Sequence, residues 1–554
     1  MKKQEDISQP QKLSCFWLCA GILAALAASN LSRDITRPFY GLHSWGQAHD
    51  AWVARSHVKY GLRYTKGFDT FAVGDPPEQN PVRYLDHPVV FTLCNSLAMA
   101  IFGVNTWALR ITNVIATVIA LLLFLKILRA LTDDATALLA GLFFSMFPLI
   151  TYFGVNQWMY PLSFYAIWCY LVLIGAVKDA AGQARFYKIA LFLCLFLGLQ
   201  MTWEAFFFAM AIGFHYVLRC IHRKKMPDKT LLAILIIAPL SSLILDFAIL
   251  AAGGGWDLNR IFQLAKIRAT SGELGNLTWT IWGKRFWEHA TTNFSLPVLI
   301  AVILYLTVGQ LYVFAPKTSD SVSSVPSRRF PQFWLFLMPP AFQLLILRGT
   351  LYPHQYWERP LTPFLAIACA LCVMVVADIV GKINRRVAVA VSVAFVAVLL
   401  ASCVMGTNFY YSIRWRAPQQ IEMFQLLNTK IPPDKALLSF EAHVIDQFPG
   451  IKARSYRPEV AWYLDRDVVP AQTIQEIERQ AATGKFPYYL MPTWSPDPKG
   501  RSILLNLAME LEKKYKWERI SGSPGKTTKD GKFLEVFLPD QLIFDLQGKS
   551  GTGG

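Results

Sequence analysis

At 554 residues, with 54% hydrophobic and 14% aromatic residues against 16% charged ones, the chain is too apolar for a soluble protein of this length. Its formal net charge of +17 needs no nucleic-acid partner, because the basic residues gather in short links between apolar runs, where they act as topology signals and can meet anionic headgroups. No Gly-rich dinucleotide turn and no Walker-type phosphate loop occurs, which removes the signature of a nucleotide-driven pump or a soluble Rossmann-type nucleotide-sugar enzyme.

A bilayer core takes roughly 20 apolar residues per helix, and about eleven stretches of that kind are predicted. They centre on 13–29, 106–130, 134–152, 158–177, 187–201, 203–219, 231–252, 294–315, 332–347, 359–381 and 387–406. A shorter run, Val89 to Val104, is interrupted at Gly103 and can be interfacial, re-entrant or spanning. The first run is followed by no small-residue cleavage site and by further spans, so it reads as a retained helix.

Lys2, Lys3 and Lys12, then Arg219, Arg223, Lys224, Lys225 and Lys229, then Lys317, Arg328 and Arg329, then Lys382, Arg385 and Arg386 mark the cytoplasmic links. Alternation then places the 30–88 loop, the 253–293 loop, the turn at 348–358 and the 407–554 tail outside. The expected division is a membrane domain over 1–406, with its first extracytoplasmic loop at 30–88, and a soluble extracytoplasmic α/β domain over 407–554. None of the nine cysteines lies in that tail, so no disulfide framework is implied. Ala436 to Phe440, Tyr488 to Met491 and Phe533 to Leu538 read as strands, and Ile421 to Thr429, Thr473 to Ala482 and Ile503 to Tyr515 as helices. Gly548 to Gly554 reads as disordered and Thr318 to Ser327 as a polar cytoplasmic linker.

Polar residues collect on the predicted outer face: His43, Trp45, Gln47, His49, Asp50 and Arg55 in the first loop, Asp86 and His87 at its end, Arg110 early in a span, Trp203 and Glu204 between two spans, and Arg348, His354, Gln355, Tyr356 and Trp357 before the tenth. Each has a plain alternative. Asp50 can be a solvated loop acid or a helix cap, Glu204 an interfacial carboxylate, and the tryptophans aromatic-belt anchors.

Taken in order, these segments resemble the C-type (GT-C) integral-membrane glycosyltransferases of the protein O-mannosyltransferase and aminoarabinose-transferase kind. The resemblance runs through His43-Ser-Trp-Gly-Gln-Ala-His-Asp50 with Ala54-Arg55, through His87-Pro88, Phe102-Gly103-Val104 and Trp107-Ala-Leu-Arg110, and through Pro148 to Pro161, Gly198 to Glu204 and His354-Gln-Tyr-Trp357 with Pro360 and Pro363. It covers roughly 1–406, and the tail in outline through Trp462 to Arg466. It implies a polytopic helical GT-C fold, a sugar donor carried on a polyprenyl phosphate, and an acid of the first loop as base. The paired acids of many relatives fall on Gly46-Gln47 when counted back from Ala54-Arg55, which leaves Asp50 as the candidate.

The chemistry agrees with that implication. Displacing a lipid phosphate from an anomeric carbon needs a base for the acceptor's proton and cations for the developing phosphate charge. Asp50 is the expected base, with Glu204 and Asp86 as alternatives. His43, Trp45, Gln47, Arg55, His87, Arg110, Trp203, Arg348, His354 and Tyr356 are the candidate substrate contacts. No cofactor is firmly expected and no metal ligand is assigned, although isolated acids could gather a divalent ion through the fold. The expected partners are membrane lipids, a lipid-linked sugar and an extracytoplasmic acceptor, in a bacterial inner membrane ahead of an endoplasmic reticulum. Two other readings stay open: a transporter or flippase of a lipid-linked or polar solute, for which Asp246 inside the seventh span is the main signal, and a catalytically silent scaffold.

Overall fold

The computed structural model describes residues 9–84, 87–156, 160–177, 183–254, 266, 269, 278–310, 330–351, 354–441, 444–445, 455–527 and 533–549. The chain divides into two compact units, Met1–Ile35 with Asp86–Phe91 and Arg110–Phe409, and Thr36–Leu85 with Thr92–Leu109 and Tyr410–Gly554. Most of the first loop, residues 36–85, clusters with the tail in the second unit.

The first unit is helical. Seven of its described helices are long and apolar enough to cross a membrane, from Cys15–Ser32 to Arg385–Ser412, and an eighth span arises if the bent pair Trp279–Phe294 and Leu296–Gly309 is one. The chain is a multi-pass membrane protein. Over its described part, each apolar run read from the sequence falls on helix, apart from turn residues at ends and breaks. The breaks have local causes. The 134–152 run splits into Asp134–Met146 and Pro148–Phe153 because a proline at the new first turn lacks the donor that would continue the helix. The pair at Phe294 and Leu296 bends by 103° at Ser295, whose φ of 70° lies in the left-handed region. Outward-facing Leu18, Ile22, Ile115, Ile236, Val389 and Val398 are exposed, as expected of side chains solvated by lipid rather than water.

The second unit is built around a five-stranded sheet in the order Val468–Pro470, Leu437–Ser439, Tyr488–Pro492, Gln541–Lys549, Tyr515–Ile520. Its first three strands are parallel and the last two antiparallel to their neighbours. Alternation along the strands sorts the core onto two faces. Leu437, Leu490 and Ile543 pack with Trp52, Phe424 and Trp462. Leu438, Tyr489, Met491, Leu542 and Phe544 pack with Ile477, Leu504 and Leu511. All three expected tail helices form, as Pro418–Lys430, Ile474–Ala481 and Pro498–Lys514. Of the expected strands, Phe533–Leu538 joins a separate two-stranded ladder with Ser523–Thr527 rather than the main sheet. Gly548 belongs to the strand Gln541–Lys549 rather than to a disordered end, whereas 550–554 and the 318–327 linker lie outside the described residues.

Candidate active site

The first-loop helix, Ser44–Thr65, starts after His43, whose φ of 54° turns the chain sharply into it, and breaks direction at Gly61, whose φ of 79° and ψ of 161° a side chain rarely adopts. Its apolar side buries Ala48, Ala51, Trp52 and Val53. Trp52 stacks on Phe71 at 4.9 Å and donates from Nε1 to the Ala72 carbonyl at 2.6 Å. Those contacts seat the helix on a short hairpin, Asp69–Phe71 against Val82–Tyr84, in which Asp69 lies opposite Tyr84. His49 meets Phe71 edge-on at 5.3 Å and Tyr84 at 5.8 Å, and its Nδ1 lies 3.2 Å from Asp50 Oδ1. Asp69 and Phe71, two residues apart, project from one face of their strand, so the Asp69 carboxylate belongs to the same aromatic enclosure.

This acid–imidazole–acid cluster is electrostatically unusual. Burial pushes the Asp50 carboxyl above its ordinary value, opposed by the hydrogen bond and charge of His49. Burial pulls the His49 imidazole down, but its bond to Asp50 and the charges of Asp50 and Asp69 outweigh that and leave it raised. Burial lifts Asp69 to about 6, against His49 and a hydrogen bond from Thr92. Asp50 keeps 25% of its side chain exposed and His49 14%, while Asp69 is buried. Asp50 is thus the most exposed of the three groups, with the basic ring beside it and Asp69 buried. Paired titratable groups with displaced pKa values are a common mark of functional sites.

The other first-loop candidates differ in role. His43 is buried with its ring 4.4 Å from that of Trp415, Gln47 is buried, and Trp45 is half-buried on the same helix. Arg55 is engaged internally: it donates to the Trp462 and Ala461 carbonyls at 2.8 and 2.7 Å, pairs with Asp465 at 3.1 Å and lies over the Trp462 ring. Those carbonyls end the helix Pro458–Leu464, where a cation satisfies acceptors that have no intrahelical donor.

The remaining candidates belong to the first unit. Glu204 is ion-paired to Arg359 at 3.2 Å, with both side chains under 10% exposed. Arg359 also donates to the Tyr356 carbonyl and lies 5.9 Å from the rings of Tyr160 and Tyr356. His354 stacks on Tyr356 at 5.2 Å, and Tyr356 meets Phe153 at 5.8 Å. The structure therefore gathers Glu204, His354 and Tyr356 around Arg359, with Trp203 beside Glu204 and stacked on Phe206. Arg110 is buried and donates to the Asp34 and Ile35 carbonyls, both at 2.9 Å. Arg348 lies over the Trp279 ring at 4.6 Å, His87 is exposed, and Asp86 lies outside the described residues.

Sequence reasoning missed Asp69 and Arg359 and assigned no role to His49. Nothing in the sequence links Asp69 to His49, since their proximity depends on the hairpin. Arg359 left a signal: Glu358-Arg359 opens an apolar span, where charge is costly enough to imply partners. Glu358 is fully buried and accepts from Asn293 at 2.8 Å. Among the described residues, no three His, Cys, Asp or Glu side chains form a metal-ligand group.

Residues 86–244 match the family model described as dolichyl-phosphate-mannose-protein mannosyltransferase. No curated protein matches. Among solved structures, ArnT from Cupriavidus metallidurans bound to undecaprenyl phosphate aligns over 97% of this chain and 98% of its own, at 12% identity and a TM-score of 0.54. The same protein in the apo state aligns over 96% and 98%, at 12% identity and a TM-score of 0.55. Arabinofuranosyltransferase AftD from Mycobacteria aligns over 95% of this chain and 41% of its own, at 12% identity and a TM-score of 0.45.

Proposed function

Because the chain has the GT-C fold of the C-type membrane glycosyltransferases, with a segment matching their mannosyltransferase family, we propose that it transfers a monosaccharide from a polyprenyl-phosphate carrier to an extracytoplasmic acceptor. The observation that carries the catalytic part is the partly exposed Asp50, backed by His49 at 3.2 Å. Asp50 takes the proton from an acceptor hydroxyl or amine, the freed lone pair attacks the anomeric carbon, and the bond from that carbon to the phosphate oxygen breaks. The polyprenyl phosphate departs as an anion. One displacement inverts the anomeric centre. His49, in its charged form, keeps Asp50 ionised before the attack despite burial.

The undecaprenyl phosphate bound by the Cupriavidus protein supports a lipid-linked donor. The phosphate contacts we favour are Arg348 and His354, since Arg55 and Arg110 already satisfy backbone carbonyls. The bias of the basic links favours the first loop and the tail outside, and we favour a bacterial inner membrane over an endoplasmic reticulum. One observation favours transport instead: Asp246 is buried inside the helix Lys229–Gly254, hydrogen-bonded to Gln200 of another span, and buried intramembrane acids often mark solute pathways.

The test is transfer from synthetic polyprenyl-phosphate sugars by the purified protein in nanodiscs, with the product's anomeric configuration read by NMR. Asp50→Asn keeps the shape and loses the proton acceptor, so donor is retained while turnover falls by ~10²–10⁴-fold. Full turnover in Asp50→Asn removes Asp50 as base. Vesicle uptake of a lipid-linked sugar without transfer establishes the transport reading.

A further inference from the structure

The second unit has a cavity of about 450 Å³ that the catalytic proposal does not use, within the roughly 300–1,000 Å³ of small-molecule sites. Its position follows from the sheet. Leu437–Ser439 is the middle of the three parallel strands. From it the chain crosses to Val468–Pro470 on one side, then back over it to Tyr488–Pro492 on the other. That reversal creates a crevice outside the carboxyl ends of the strands, where open α/β sheets characteristically bind ligands. Phe440 and Glu441, which line the cavity, directly follow the middle strand, and Gln472, also in its wall, follows Val468–Pro470. Trp494 follows Tyr488–Pro492 and meets Phe537, another wall residue, edge-on at 5.4 Å.

The lining chemistry is specific. Arg416, Gln420, Arg457 and Gln472 bring planar guanidinium and amide groups to the cavity. Arg416 spends one edge on buried Glu459, at 3.1 Å, leaving its remaining donors for a ligand. The guanidinium of Arg457 and the amide of Gln420 have no hydrogen-bond or ion-pair partner among the described residues. Phe537 and Trp494 keep 50% and 41% of their surface exposed. Exposed rings beside planar polar groups suit a ligand with apolar C–H faces and closely spaced hydroxyls. Glu459 and Glu441 offset the two arginines, so the site is not built for a polyanion.

We propose that this crevice binds the end of an uncharged oligosaccharide, with a sugar face on Trp494 and Phe537 and hydroxyls held by Arg457, Gln420 and Gln472. On the glycosyltransferase reading this sugar is part of the acceptor; the binding itself does not depend on that reading.

The test is saturation-transfer NMR on the full-length protein in nanodiscs, with maltotriose, cellotriose, mannotriose, trigalacturonate and inorganic phosphate as probes. At least one neutral trisaccharide should bind. Its affinity should drop about tenfold in Arg457→Ala and again in Trp494→Ala, the scale of a lost buried hydrogen bond or ring contact. Thermal unfolding shows that the variants remain folded. Binding of none of the neutral trisaccharides, binding only of trigalacturonate or phosphate, or neutral binding indifferent to both substitutions overturns the proposal. Asp50→Asn should bind the trisaccharide as wild type does, so failure of the transfer reaction and failure of this site are distinguishable.

Discussion

His49 Nδ1 lies 3.2 Å from Asp50 Oδ1, the partly exposed acid of the first-loop helix, and the ring also feels the charge of the buried acid Asp69 in the adjoining hairpin. Neighbouring residues on a helix do not ordinarily face one another. Phe71 and Tyr84, edge-on to the imidazole, flank the ring. The charge state of the pair is set by what the hairpin adds, and a pH profile can read it.

On the proposed transfer reaction, the rising limb of kcat/KM should report loss of the proton from Asp50, whose carboxyl is raised by burial, and the falling limb loss of the imidazolium of His49, also raised. The ionisable groups facing His49 are Asp50 from its own helix, and Asp69 and Tyr84 from the hairpin. Asp69 titrates near 6 and is anionic above that, so its charge favours protonated His49. Asp69→Asn should therefore lower the His49 pKa, move the falling limb to lower pH and narrow the bell, with the rising limb changing less. A falling limb that stays put or moves upward shows that Asp69 does not act on His49.

Glu204 offers a contrasting expectation, because its carboxylate is paired with buried Arg359. Glu204→Gln leaves a buried guanidinium uncompensated, which costs about 3–5 kcal/mol, and the double variant with Arg359→Gln should recover much of the lost stability. The readouts are the midpoint of thermal unfolding and donor transfer per folded molecule. If Glu204→Gln unfolds like wild type yet abolishes transfer, the base belongs at Glu204.

Reporters test sidedness. Fused after Gly406 and inserted at Thr318 to Ser327, they should appear on opposite sides, the first outside, because the basic links set orientation. Both on one side breaks the alternation and removes the argument for an extracytoplasmic site.

Much of the membrane unit was legible, since its helices coincide with apolar runs, seven of them long enough to cross a bilayer, and the break at Phe147 was written as Pro148. The strands Leu437–Ser439 and Tyr488–Pro492 were legible through dense apolar sequence. Gln541–Lys549 was not, because its edges are polar and its buried apolar residues are only Leu542, Ile543 and Phe544. Phe533–Leu538 reads as a strand without saying which ladder it joins. Asp50 was legible as an acid in an aromatic loop. Its link to Asp69 was not, since a hairpin of three-residue strands sets it. The structural use of Arg55 was equally hidden, because its partners lie more than 400 residues away.

Arg55 supplies the last prediction. One side chain closes the helix Pro458–Leu464 through two carbonyls and pairs with Asp465, whose φ of 49° ends that helix. Lys59 reaches the same carboxylate at 2.8 Å, so charge alone is partly duplicated, while the planar, multiple-donor geometry is not. Arg55→Lys keeps the charge but cannot serve two carbonyls and a carboxylate together. Losing buried charge-assisted bonds of this kind costs about 1.5–3 kcal/mol each. Arg55→Lys should therefore lower the unfolding midpoint and make the Trp462 segment more susceptible to limited proteolysis, while folded protein retains donor affinity. The discriminating result is the opposite pattern: unchanged unfolding and proteolysis with weakened binding of a polyprenyl-phosphate sugar returns Arg55 to the phosphate site.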